Sequence, residues 1–252
     1  MNFESLIPVI LLAFVCELVD STLGMGYGTT LTPIMLALGY EPIVIVPAVL
    51  FSEAVTGVLA GVIHNEFGNV NLRFGSRDFK IAATLTGLSI VGVLLAAIIA
   101  INLPSWAVKL YIGVLVLSLG LFILLNRKRE YPFSLKRIAG LGLLAAFNKG
   151  ISGGGYGPVV TTGQVLSGVR GRSAVGITSL VEGITCIVGV GIYILSGVSL
   201  SWSLVLPLLL GAVVSVPFSA YIVSRLPAGR LTFIIGAIST ALGGYTLVRL
   251  LI

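Results

Sequence analysis

The chain has 252 residues, of which 57% are hydrophobic and only 10% are charged, with a net charge of +6 and a mean hydropathy of +1.12. Because a soluble domain carries about 25% charged residues, this composition excludes a soluble globular fold, a disordered chain, a disulfide framework and a nucleic-acid-binding protein. The apolar residues come in runs of roughly 20, long enough to cross a hydrocarbon layer of ~30 Å, so we predict an all-α integral membrane protein.

Taken in chain order, the apolar runs predict ten helices. They span 5–23, 29–39, 43–63, 79–101, 106–125, 137–149, 158–168, 173–195, 201–223 and 229–250. Those at 29–39, 137–149 and 158–168 are too short to cross a bilayer, and each adjoins a glycine cluster. The clusters are Gly24-Met-Gly-Tyr-Gly28 and Gly150-Ile-Ser-Gly-Gly-Gly-Tyr-Gly157. We therefore expect six full spans and two re-entrant hairpins, at 5–39 and 137–168, each turning on glycine inside the membrane.

The positively charged residues predict how the chain is oriented. Twelve of the 15 Lys and Arg residues lie in the connections at 64–80, 126–137 and 168–172 or next to the start of the last span. Cytoplasmic loops carry an excess of Lys and Arg, and these segments share one side only if each hairpin enters and leaves the membrane at the same face. We therefore expect a cytoplasmic linker at 126–136, both termini outside, and a location in the plasma membrane.

The second half of the sequence repeats the first. Gly26-Tyr27-Gly28 reappears as Gly155-Tyr156-Gly157, and Glu53-Ala-Val-Thr56 reappears as Glu182-Gly-Ile-Thr185, both at a shift of 129 residues. The two repeats cover 1–125 and 137–252, and each contains one hairpin and three spans. Since an odd number of crossings reverses the second copy, we predict an inverted-repeat bundle, an arrangement that recurs in secondary transporters.

Two segments resemble the signature sequences of a known membrane protein family. Asp20-Ser-Thr-Leu-Gly-Met-Gly-Tyr-Gly-Thr-Thr-Leu-Thr-Pro33 is similar to the first signature of the TauE/SafE sulfite-exporter family, and Asn148-Lys-Gly-Ile-Ser-Gly-Gly-Gly-Tyr-Gly-Pro158 resembles the second. Met25 and Tyr27 interrupt the glycine triplet that is usual in the first signature. The similarity extends over essentially the whole chain, and it implies efflux of sulfite, organosulfonates or related small sulfur-containing anions across the plasma membrane.

The residues around each glycine cluster predict an anion site. Free N–H groups and the partial positive charge at a helix N-terminus favour anions, and two such ends that face each other would hold a sulfite or sulfonate. The candidate substrate-binding residues are Gly26, Tyr27, Gly28, Thr29 and Thr32 at the first cluster, and Lys149, Gly154, Gly155, Tyr156, Gly157 and Thr161 at the second. A purely structural role is the alternative for the glycines, since small residues allow membrane helices to approach closely.

Five ionisable residues are expected at membrane depth, where charges are unfavourable and mark functional sites. They are Glu17, Asp20, Glu53, Lys149 and Glu182. We predict that Lys149 assists anion binding, and that the repeat mates Glu53 and Glu182 are proton-coupling candidates together with Glu17 and Asp20. The alternatives are protonated glutamates that only hydrogen-bond neighbouring helices, and a lysine that only neutralises Asp20.

The sequence favours a secondary transporter over an enzyme. It has no nucleotide-binding motif, so active transport would draw on an ion or substrate gradient, and a passive anion channel with the same site is the alternative. We expect no catalytic, metal or cofactor site, because Cys16 and Cys186 lie in apolar segments and the single histidine, His64, falls in a loop with Glu66 and Asn69, where all three should be solvated. The expected partners are the small anionic substrate and the lipid bilayer, with a homodimer as a further possibility and no nucleic acid.

Overall fold

The computed structural model describes residues 3–126 and 134–223 and, near the C-terminus, residues 237, 240–248 and 250. Within these residues the chain forms no strands and nine bounded helices: α1 Phe3–Leu23, α2 Tyr27–Ala37, α3 Pro42–Glu66, α4 Arg77–Asn102, α5 Ser105–Asn126, α6 Leu135–Ser152, α7 Tyr156–Leu166, α8 Gly171–Leu195 and α9 Trp202–Val223. Residues 240–248 are also helical. Most of the predicted linker at 126–136 and half of the predicted span at 229–250 lie outside the described residues.

Five of these helices are long and apolar enough to cross a membrane, namely α3, α4, α5, α8 and α9. They coincide with five of the six predicted full spans, which confirms an all-helical chain with membrane-spanning helices over the described residues. By contrast, α2 and α7 have 11 residues each, or about 16 Å of helix, against a hydrocarbon layer of ~30 Å. The re-entrant hairpins and the inversion of the second half stay predictions.

The two short helices begin two residues earlier than the sequence predicts. The structure starts α2 at Tyr27 and α7 at Tyr156, whereas we predicted starts at residues 29 and 158. The reason is that the preceding glycines complete the turn: Gly26 has φ of 138° and Gly155 has φ of 80°. Glycine adopts such positive φ angles without steric penalty, so each helix begins immediately after its glycine.

Helices pack closely wherever glycine faces a neighbouring backbone. One close approach inside the bundle joins α3 to α8, where Gly57 and Gly183 touch: a Cβ added to Gly57 would lie 2.7 Å from the carbonyl oxygen of Ser179. In the same way Gly211 of α9 faces the backbone of α1 at Ile10. Small residues at such crossings let two helix backbones approach closely, so that dispersion contacts and backbone polar interactions hold the helices together in a membrane.

The outer surface of the bundle is apolar. Large hydrophobic side chains on α1, α3, α4 and α9 are about half exposed, including Leu11, Val62, Leu95 and Leu206. Polar and ionisable side chains lie inside instead, where Glu17, Glu53, Lys149 and Glu182 are all buried. An apolar exterior around a polar interior is the distribution that a lipid-facing bundle requires.

Candidate functional site

The two glycine turns meet in the middle of the bundle. Gly28, at the start of α2, packs against the backbone of Gly153 and Gly154, and Gly157, at the start of α7, packs against the backbone of Gly24 and Met25. A Cβ on Gly28 or on Gly157 would overlap a carbonyl oxygen of the opposite turn. The contacts also obey the sequence repeat, because Gly24 corresponds to Gly153 and Gly28 to Gly157 at the shift of 129 residues.

Threonine side chains connect the two turns. The N–H of Gly155 donates to Oγ1 of Thr29 at 3.0 Å, and the hydroxyl of Thr161 donates to the carbonyl oxygen of Gly24 at 2.6 Å. Thr32, the repeat mate of Thr161, is buried and its Oγ1 has no hydrogen-bond partner among the described residues. The structure therefore brings the predicted glycines and threonines of both clusters together, and it leaves one hydroxyl available for a ligand.

The first N–H of α2 is already bound to a carboxylate of the chain. The backbone N–H of Tyr27 donates to Oδ1 of Asp20 at 3.1 Å, which is the interaction that the positive end of a helix favours. The tyrosine hydroxyls point away from the turns, because Tyr27 bonds to Ser52 at 2.9 Å and Tyr156 bonds to Ser89 at 2.8 Å. Both tyrosines thus anchor the starts of their helices to α3 and α4.

Lys149 lies between the two repeat-mate glutamates. Its Nζ forms ion pairs with Oε2 of Glu53 on α3 and with Oε1 of Glu182 on α8 at 2.8 Å. The lysine is fully buried, and α6 carries it into the contact between α3 and α8. The alternative in which Lys149 only neutralises Asp20 is therefore wrong, because the lysine pairs with Glu53 and Glu182. Its role in anion binding stays a prediction.

Glu53 and Glu182 belong to a group of four buried carboxyl groups, and we call Glu17, Asp20, Glu53 and Glu182 the carboxyl cluster. They line a cavity of about 10 Å³ together with Thr56, Gly57 and Ser179. One oxygen of Glu17 accepts from the hydroxyl of Ser21 at 2.5 Å. Carboxylate oxygens of Asp20, Glu53 and Glu182 lie within 4.8 Å of one another, close enough to surround one cation. The carboxyl cluster can therefore bind and release protons, or bind a cation, beside the positive charge of Lys149.

His64 and Asn69 are buried, so the prediction that they are solvated is wrong. His64 Nε2 lies 2.9 Å from the carbonyl oxygen of Ser21 on α1, and its Nδ1 lies 3.1 Å from Nδ2 of Asn69. The cause is that α3 continues to Glu66 instead of ending at residue 63. His64 follows Glu53 by 11 residues, or about three helical turns, and that spacing was the signal for a shared inner face. Glu66 is exposed, as predicted.

A larger cavity of about 730 Å³ lies between α5, α6 and α7. Its walls are mainly apolar, with polar side chains from Tyr111, Ser118, Arg137, Asn148 and Ser167. Its inner end reaches the second glycine turn, because Leu115 and Leu119 line the cavity and also contact the Cβ position of Gly155. At this end the hydroxyl of Tyr111 donates to Oδ1 of Asn148, the residue before Lys149.

The chain is similar to known membrane proteins over most of its length. A protein-family model described as "Sulfite exporter TauE/SafE" matches residues 9–246. The "Probable membrane transporter protein YtnM" of Bacillus subtilis (strain 168) is 29% identical over 259 aligned positions, covering 98% of this chain and 84% of that protein. No solved structure matches the chain.

Proposed function

Because the chain belongs to the sulfite exporter TauE/SafE family, we propose that it is a secondary transporter that exports small sulfur-containing anions such as sulfite or organosulfonates. The observation that carries the proposal is the buried contact between the two glycine turns, each of which starts an 11-residue helix. Interrupted helices that meet inside a bundle form the substrate sites of many secondary transporters. The positive ends of α2 and α7 and the free hydroxyl of Thr32 would receive the anion there.

Substrate binding requires a change in the carboxyl cluster. While Glu53 and Glu182 are ionised, both neutralise Lys149, and a second anion beside them would be repelled. Protonation of either glutamate releases part of the lysine charge for the substrate. The proton and the anion therefore bind together, and they leave together when the glutamate ionises again.

The proposed path of the substrate and the orientation of the protein in the membrane follow from the larger cavity and from the positively charged connections. The cavity between α5, α6 and α7 would admit the anion, since it runs from Arg137 toward Asn148, a distance of about 16 Å along α6. Arg137 belongs to the positively charged connection that we expect on the cytoplasmic side. The two halves would then lie inverted in the plasma membrane, with each hairpin re-entering from its own side.

Counterflow in liposomes tests this function. Vesicles that contain the protein and are preloaded with sulfite, thiosulfate, sulfoacetate or taurine should take up the same labelled anion several-fold faster than empty vesicles, with saturation at high concentration. A carrier shows both properties, because the site must return through the membrane before it binds again. A passive channel with the same site would show flux that scales with voltage, no saturation and no counterflow. That result would reject the carrier in favour of the channel.

Proton coupling is tested by Glu53→Gln and Glu182→Gln. Glutamine keeps the shape of the protonated glutamate but cannot titrate, so each variant should still bind the anion and should lose accumulation driven by a pH gradient. Binding by calorimetry and uptake under an imposed pH gradient give the two readouts. If both variants keep the pH dependence of the wild type, the glutamates do not carry the proton.

Glu41→Gln is the matched control for these variants. Glu41 precedes α3, is exposed, and accepts hydrogen bonds from Ser105 at 2.7 Å and from Lys109 at 3.0 Å. These hydrogen bonds lower the pKa of Glu41 below its ordinary value, so it stays ionised throughout a pH gradient near neutrality. Its replacement should leave pH-driven accumulation unchanged.

A further inference from the structure

The cavity in the carboxyl cluster has ligands for one more positive charge. Three of its oxygens have no hydrogen-bond partner among the described residues: Oε2 of Glu17, Oε1 of Glu53 and Oε2 of Glu182. These residues are only 2%, 3% and 5% exposed, and all three line the same cavity. A buried carboxylate oxygen that lacks a hydrogen-bond donor is unfavourable, so the arrangement points to a ligand.

The geometry suits a dehydrated cation. Asp20, Glu53 and Glu182 each offer an oxygen, all within 4.8 Å of one another, and the hydroxyl groups of Thr56 and Ser179 line the same space. The cavity of about 10 Å³ has room for about one water-sized particle. An ion that keeps its water shell does not fit.

The charges around the cavity do not balance. Lys149 supplies one positive charge, and the N-terminus of α2 partly offsets Asp20 through the N–H of Tyr27. Three or four carboxylates therefore face one ammonium group and part of a helix dipole. A buried charge without a counter-charge is strongly unfavourable in a low-dielectric interior, so a further cation would stabilise the ionised cluster.

We propose that the carboxyl cluster binds one dehydrated sodium ion through these oxygens. This inference rests on the proposed function, in which the same cluster carries the coupling charge. Magnesium usually keeps several waters, which this cavity does not hold. Sodium is favoured over potassium because the smaller ion lies closer to the carboxylate oxygens and is attracted more strongly.

Other titratable side chains face the cluster without competing with it. They are Cys16 on α1, Tyr27 on α2, Lys149 on α6, Tyr156 on α7 and Cys186 on α8. Thiol and phenol groups are ordinarily neutral near neutral pH, and the lysine already pairs with two of the carboxylates. The pH dependence of sodium binding therefore comes from the four carboxyl groups.

Thermal unfolding of the full chain in detergent, without any transported anion, tests the sodium site. In mildly alkaline buffer, sodium chloride should raise the melting temperature by roughly 3–6 °C over potassium chloride of equal concentration, the shift for sodium at about ten times its Kd. The difference should disappear in acid buffer. Asp20→Asn should remove it, whereas Glu66→Gln, at the exposed end of α3, should keep it.

Direct binding of radioactive sodium keeps the test decisive if Asp20→Asn fails to fold. Wild-type protein should bind one sodium ion per chain, displaced by unlabelled sodium and by acid but not by potassium. Equal melting temperatures in sodium and potassium with no bound sodium would overturn the inference, as would a shift caused by calcium alone. If the protein shows anion counterflow but no sodium binding, the sodium site is rejected and the proposed transporter stands. If it binds sodium but shows no anion flux, the proposed transporter is rejected and the sodium site stands.

Discussion

Lys149→Met should be the most damaging single substitution at the site. Removing the ammonium group leaves Glu53 and Glu182 buried without their counter-charge, and the loss of one partner of a buried ion pair costs about 3–5 kcal/mol. The variant should unfold at a clearly lower temperature in detergent and should fail to bind the anion at every pH. Calorimetric unfolding and substrate binding measure the two effects.

The same substitution at an exposed ion pair is the control. Lys109 pairs with Glu41 at 3.0 Å, where the two side chains are 30% and 51% exposed, and such pairs contribute only about 0–1 kcal/mol. Lys109→Met should therefore unfold close to the wild type. Adding Glu53→Gln and Glu182→Gln to Lys149→Met should restore stability but not anion binding, because the two side chains that lost their counter-charge are then neutral. Wild-type stability of Lys149→Met alone would show that the ion pairs do not hold the cluster together.

Gly157→Val should abolish transport. The new Cβ would overlap the carbonyl oxygen of Gly24, so the two turns must separate before the side chain fits, and the ends of α2 and α7 then no longer face each other. Overpacking of this kind costs about 1–3 kcal/mol, which lowers stability without preventing membrane insertion. Anion uptake by liposomes, normalised to the amount of inserted protein, measures the result.

Gly87→Val provides the comparison within a helix. Gly87 lies on the exposed face of α4, and a Cβ there meets no atom within 4 Å. The two variants therefore share the same change in composition and in helix propensity, and they differ only in what the side chain meets. Transport by Gly157→Val at the rate of Gly87→Val would mean that close contact between the turns is not needed.

The repeat in the sequence predicted much of the site because it pairs residues that the fold brings together. Glu53 and Glu182 meet at one lysine, and Gly28 and Gly157 lie on either side of the same crossing. The long apolar runs predicted six full spans, and five of them coincide with membrane-spanning helices of the described residues. The repeat and the apolar runs are both visible in a single sequence, so the features that depend on them were predictable.

Partners across the bundle depended on packing that local pattern does not contain. The sequence placed Lys149 near a glycine turn, but its contact with both glutamates follows from how α6 enters between α3 and α8. The burial of His64 depends on one further turn of α3 and on the nearby backbone of α1. The binding of Asp20 to the N-terminus of α2 likewise requires the glycine turn to fold back by a specific angle.

The contact of Gly57 with Gly183 determines which parts of the protein can move during transport. Two backbones in direct contact form a pivot, and atoms near a pivot are displaced least when the helices tilt. A tilt of about 10° would shift the end of α3 at Pro42 by about 4 Å but the backbone of Glu53 by only about 1 Å, given a rise of about 1.5 Å per residue. If the helices tilt about this contact during the proposed transport, Glu53 and Glu182 would stay close together while the ends of the helices move.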